Sequence, residues 1–154
     1  MKTKCIALLV SLQTVFCFLG FAESENPSTE WLRNARYGIF MHFLPGDPKT
    51  FAMVDKFDVL ALAKQLESAG AGYFVLTLGQ NSGYYNAPNA VYNRYTGYRT
   101  GERCATRDLP LALEEVLRPK KIKLMLYLPC QVPNQDERAQ KAFGLKLGKQ
   151  DQPL

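Results

Sequence analysis

The chain has few of the residues from which metal and nucleotide sites are built. It holds one histidine and four cysteines among 154 residues, with no CxxC or HExxH motif. These absences exclude the common zinc patterns. Gly70-Ala71-Gly72 lacks the third glycine of a dinucleotide fingerprint. We therefore expect no metal and no cofactor.

The surplus of positive over negative charge is also small. The formal net charge is +5, and two of the lysines lie among the first four residues. Domains that bind nucleic acid or anionic lipid through a basic face carry a larger surplus. The sequence therefore argues against a nucleic-acid or membrane-surface partner.

Residues 1–22 are typical of a secretory signal peptide. A basic start precedes an apolar run from Ile6 to Phe21, and small residues precede a cleavage point after Ala22. The run is short for a membrane span, and polar residues follow it. We expect a mature chain of residues 23–154 that is secreted or periplasmic, with no membrane association after cleavage.

Two cysteines would remain after signal cleavage. Cys104 and Cys130 would then be in a compartment where disulfides persist. A bridge between them would stabilise the fold by about 3–4 kcal/mol in the chain-entropy model. Two unpaired thiols are the alternative, because bridging requires Cα atoms within about 7 Å. We carry the pair as a disulfide candidate.

Strand and helix signals alternate along the rest of the chain. Three apolar runs of strand length alternate with segments that carry helix-capping residues, an order typical of a parallel α/β fold. A closed eight-stranded barrel takes about 250 residues. We therefore expect a partial (β/α)8 TIM barrel of about three strand–helix units. The predicted strands are 37–41, 72–78 and 123–128; the predicted helices run from Asp58 to Gly70, from Asp108 to Leu117, and from a capping box at Asn134 and Glu137 to Gly144, with a long loop over 79–107.

Three stretches carry a family resemblance. They are WLRNARYGIFMHF at 31–43, FDVLALAKQLESAGAGYFVLTLGQNSGYY at 57–85, and the segment from RDLP to KLMLYLP at 107–129. Together they resemble the amino-terminal part of the α-L-fucosidase family of glycoside hydrolases. The resemblance covers most of the mature sequence. It implies a barrel that cleaves terminal glycosides with retention, and a carbohydrate partner, terminal fucose or a related sugar.

His42 is the first candidate site residue. It follows the first predicted strand, and the carboxyl ends of strands are where (β/α) barrels place their chemistry. In the family, a tryptophan, a short basic stretch and a strand lead to a substrate-binding histidine. The resemblance therefore implies that His42 hydrogen-bonds sugar hydroxyls. The alternative is a histidine that is satisfied by backbone groups.

Gln80 and Asn81 follow the second predicted strand. The matching family stretch usually carries two adjacent histidines and then an acid, whereas this chain has Gln80, Asn81 and Ser82. Side-chain amides still donate to and accept from hydroxyls, but they take no proton at neutral pH. The chain is therefore interpreted as a divergent member whose sugar-binding residues include both amides. A loop of turn-forming residues is the alternative.

The long loop is rich in tyrosine and arginine. Tyrosine offers an apolar face and a hydroxyl to a sugar, and tyrosine with arginine also suits single-stranded nucleic acid. Packing of the loop onto the barrel rim is the third interpretation, and we expect it for most of these side chains. Tyr84 is the candidate for sugar contact, because it lies nearest to the strand end.

No pair of catalytic carboxylates is evident. A retaining glycosidase needs two carboxyl groups about 5–5.5 Å apart, whereas the acids here fall in turns, at helix starts or on solvated helix faces. In the family, the nucleophilic aspartate lies on a later strand, beyond Leu154. We therefore expect no catalytic residue, and an inactive amino-terminal fragment of a glycoside hydrolase. The alternatives are a non-catalytic secreted carbohydrate-binding or interaction protein, and a truncated reading frame without independent function.

Overall fold

The computed structural model describes residues 26–130 and 133–145. The predicted signal peptide and residues 146–154 lie outside these ranges. The chain divides into two compact units, 1–34 and 35–154. In the first, helix α1 (Pro27–Asn34) begins beside Asn26, whose side chain accepts from the Ser28 amide at 3.0 Å. Among the described residues, no helix combines the length and the apolar character that a membrane span requires.

The second unit is built on a three-stranded parallel sheet. Strands β1 (Gly38–Met41), β2 (Tyr73–Thr77) and β3 (Lys123–Tyr127) lie in the order β1-β2-β3. Phe40 pairs with Val75, which pairs with Met125. The mixed α/β class and the three predicted strands are confirmed. The remaining elements are a 3₁₀ turn (Pro48–Thr50), α2 (Phe51–Asp55), α3 (Val59–Ala69), α4 (Ala90–Thr96), α5 (Leu109–Leu117), a second 3₁₀ turn (Arg118–Lys120) and α6 (Glu137–Phe143).

Local capping explains where the two crossover helices begin. Asp58 accepts from the Ala61 amide at 2.9 Å and starts α3, and Gly70 ends it in the left-handed region at φ 73°. Asp108 accepts from the Leu111 amide at 2.9 Å and starts α5. These capping predictions are confirmed.

The hydrophobic core lies on one face of the sheet. Phe74 and Leu76 alternate along β2 and are fully buried, as are Leu66 of α3 and Leu113 of α5. Helices α3 and α5 pack on each other as well as on this face. The opposite face carries exposed aromatic side chains: Phe40 is 53% exposed and contacts Tyr127, 41% exposed, with ring centroids 5.4 Å apart.

Two sequence predictions need correction. The segment predicted as one long loop contains α4, capped by the Asn89 side chain on the Tyr92 amide at 2.9 Å. The last helix begins at Glu137, and its cap is Asp136 instead of a box of Asn134 with Glu137. Asp136 takes this place because its backbone is extended and its carboxylate accepts from the Ala139 amide. The expected helix end at Gly144 is confirmed.

Candidate functional site

The carboxyl ends of β1 and β2 bring two of the predicted site residues together. His42 follows β1 directly, and β2 ends at Thr77 in the neighbouring position of the sheet. His42 Nδ1 lies 3.4 Å from Thr77 Oγ1, and His42 Nε2 lies 3.4 Å from Gln80 Nε2. The structure therefore brings His42 and Gln80 together at one edge of the sheet.

The two ring nitrogens of His42 face different partners. The Gln80 amide nitrogen can only donate, so His42 Nε2 must accept from it. Nδ1 faces Thr77 Oγ1, a hydroxyl that can donate or accept. Because His42 is exposed while Thr77 is fully buried, the ring is held from the protein side and open to solvent on the other. This arrangement can bind a hydroxyl group.

A tight turn places the two amides. The Gly83 amide donates to the Gln80 carbonyl at 2.9 Å, and Gly83 adopts φ 75°, which favours glycine. The Asn81 amide donates to Gln80 Oε1 at 3.3 Å. Asn81 Oδ1 is buried and has no hydrogen-bond partner in the described part of the chain. The turn-former alternative and the binding role are therefore compatible, because the turn itself presents Gln80.

Asn86 stabilises the same edge of the sheet through two side-chain hydrogen bonds. It is fully buried, and its Nδ2 donates to the Phe43 carbonyl at 2.6 Å and to the Thr77 carbonyl at 2.8 Å. These bonds connect the segment after β1 to the end of β2. Sequence reasoning missed this residue, because an asparagine inside a loop gives no sign of burial.

Tyr84 is held by its neighbours. It is half-buried and packs against the core, with its ring centroid 6.0 Å from that of Phe51. The Arg103 guanidinium lies over the ring, 4.4 Å from its centroid. No hydrogen bond in the described part of the chain joins it to His42 or Gln80. Tyr84 is therefore a packed side chain whose contacts are with Phe51 and Arg103.

Most of the other loop tyrosines pack inward. Tyr85, Tyr92 and Tyr98 form a second small cluster with Cys104 and Ala139. Burial raises the pKa of Tyr85 to about 12, and it raises the pKa of Tyr92 further. The packing interpretation holds for these three. Tyr95, by contrast, is 59% exposed.

The candidate disulfide is not formed in the structure. Both cysteines are free: Cys104 is buried in the tyrosine cluster, and Cys130 is exposed. The physical reason is the long loop, which pairs Cys104 with Tyr85 and packs its side chain inward. Burial raises the pKa of the Cys104 thiol to about 11, so this thiol stays protonated and unreactive at neutral pH.

Several carboxylates in the described part of the chain have structural partners. Asp47, Asp58, Asp108 and Asp136 cap helices or 3₁₀ turns. Glu30, Glu67 and Glu114 form ion pairs, and Glu67 Oε2 lies 2.5 Å from Lys120 Nζ. Within the same residues, no group of three or more metal-ligating side chains comes together.

Comparison with known proteins gives no neighbour. No family model, curated protein or solved structure matches the chain.

Proposed function

We propose that this chain is the amino-terminal part of an α-L-fucosidase-like (β/α)8 barrel and that it binds a terminal sugar, fucose or a close relative. His42, Gln80 and Asn81 form the polar side of the site, with Tyr84 as a candidate for sugar contact. The proposal takes its substrate class from the sequence resemblance. The pairing of His42 with Gln80 across two parallel strands supports it most directly.

The chemistry of the pair suits a sugar. An imidazole ring and a primary amide both form hydrogen bonds, and a sugar hydroxyl is both a donor and an acceptor. The contacts of His42 are 3.4 Å long, so a hydroxyl can replace Gln80 as a partner at little cost. Buried Thr77 anchors the ring during that exchange.

The barrel assignment is supported by the layout of the sheet. Strand order follows chain order, and both crossover helices pack on one face. Doubly wound sheets place helices on both faces, whereas barrels keep them outside and fill the interior with side chains. Phe40 and Tyr127 lie on the sheet face opposite these two helices, which is the face that a barrel interior would use.

Binding without hydrolysis is the activity proposed for this chain. The described carboxylates that are placed at helix starts or in ion pairs are unavailable as a nucleophile and an acid/base. A retaining glycosidase needs both groups within about 5–5.5 Å of each other. We therefore propose that the catalytic pair belongs to a later part of the barrel.

Equilibrium binding of L-fucose tests the proposal. His42→Ala and Gln80→Ala should each weaken binding about five-fold, the factor for one net hydrogen bond of about 1 kcal/mol. Gln65→Ala is the matched control, because Gln65 is exposed on α3 and should leave affinity unchanged. Equal affinity in all three variants, or no binding by the wild type, would contradict the proposal.

A further inference from the structure

Asp136 is a carboxylate that has been removed from water. It is 3% exposed, and its Oδ1 accepts from the Tyr98 hydroxyl at 2.9 Å and the Ala139 amide at 3.2 Å. Its Oδ2 accepts from the Tyr92 hydroxyl at 3.1 Å, and Arg103 Nε lies 3.7 Å away. A buried charge persists only with such partners. Since capping α6 requires only one acceptor, the other contacts must serve something else.

Arg103 connects this carboxylate to the turn after β2. Its Nη1 donates to the Ser82 carbonyl at 3.0 Å. Its guanidinium lies between two aromatic rings, 4.4 Å from the Tyr84 centroid and 5.0 Å from the Tyr98 centroid. A guanidinium presents its donors in a rigid planar fork. Arg103 therefore fixes where the Ser82 carbonyl lies relative to Asp136.

Two further contacts hold the same turn. The Gln135 amide, just before the cap of α6, donates to the Asn81 carbonyl at 2.9 Å. Gly83 lies so close to the carboxylate that a Cβ there would be 3.0 Å from Asp136 Oδ2. The turn is thus held on its Asn81, Ser82 and Gly83 positions by groups from a distant part of the chain.

We infer that Arg103 and Asp136 are positioning residues, a clamp that fixes the Gln80–Gly83 turn and so sets Gln80 against His42. Gln80 is the first residue of the turn, and its side chain meets His42 at 3.4 Å. The use of this alignment in sugar binding rests on the proposed function. The alignment itself can be measured without a sugar.

Two readouts on the full chain test the clamp. Hydrogen exchange measured by mass spectrometry reports the Gly83 amide, which closes the turn. The carbethoxylation rate of histidine reports the accessibility of His42, because His42 is the only histidine of the chain. Arg103→Gln should speed both about five-fold, the factor for a net bond of about 1 kcal/mol, while exchange in β2 keeps its wild-type rate. Gln80→Ala should raise the carbethoxylation rate of His42 by the same factor as Arg103→Gln.

Arg99→Gln is the matched control, because it removes the same charge from an exposed position of the same loop. It should leave both rates unchanged. Wild-type rates in Arg103→Gln would overturn the clamp, and so would a uniform rise that includes β2. If Arg103→Gln does not fold, Arg103→Lys keeps the charge without the planar fork, and the same results decide. If the wild type binds no fucose but Arg103→Gln still raises both rates as expected, only the proposed function is refuted.

Discussion

Replacing Asp136 with alanine should destabilise the fold far more than removing an ordinary helix cap. The carboxylate accepts from two tyrosine hydroxyls and one backbone amide, and it faces Arg103. Loss of a cap costs about 1 kcal/mol, and each buried hydroxyl left without a partner costs about 1–3 kcal/mol. Breaking a buried charge pair costs about 3–5 kcal/mol in total, which is the loss we expect.

Urea unfolding followed by circular dichroism measures this loss. Asp58→Ala is the matched control, because Asp58 caps α3 through one bond and its side chain is exposed. It should cost only about 1 kcal/mol. If the two variants lose the same free energy of unfolding, the buried network contributes nothing beyond the cap, and the account of the clamp is wrong.

Three further predictions concern pH, thiols and activity. Because the pKa of Tyr85 is raised to about 12, folding favours its neutral form. The stability that this side chain contributes should be complete below pH 10 and should be lost as the pH rises toward 12. Urea unfolding at alkaline pH should show a smaller loss of stability in Tyr85→Phe than in the wild type. Thiol titration of the unfolded, unreduced chain after signal cleavage should detect two reactive thiols, those of Cys104 and Cys130. If no reactive thiol is detected, the two cysteines form a disulfide. The purified chain should not hydrolyse aryl α-L-fucosides above buffer; turnover that is abolished by Asp47→Asn would place a catalytic carboxylate in this chain.

The parts of the fold that sequence predicts are those specified by neighbouring residues. Asp58 and Gly70 mark α3 because capping depends on groups within one turn of the helix. Helix α4 is missed although Asn89 and Gly97 cap it, because its tyrosine-rich sequence suggests a loop and only Tyr92 and Thr96 are buried. A short helix of that kind is stabilised mainly by packing.

The candidate site also contains some residues that the sequence predicts and others that it does not. His42 and Gln80 are predictable as neighbours because parallel strands end at one edge of a sheet. Arg103 and Asp136 are far apart in sequence, and nothing local to either residue shows that they meet. A sequence pattern can identify Asp136 as a helix start, but it cannot show that the carboxylate is buried.

The most direct test of the central claim is a double-mutant cycle of L-fucose binding on His42 and Gln80. If both side chains hold one sugar, the effects of His42→Ala and Gln80→Ala should be non-additive, with a coupling of at least about 0.5 kcal/mol. The pair His42→Ala and Gln65→Ala should add within about 0.3–0.5 kcal/mol. Additive effects of His42 and Gln80, or no effect of either, would contradict a shared sugar site at the carboxyl edge of the sheet.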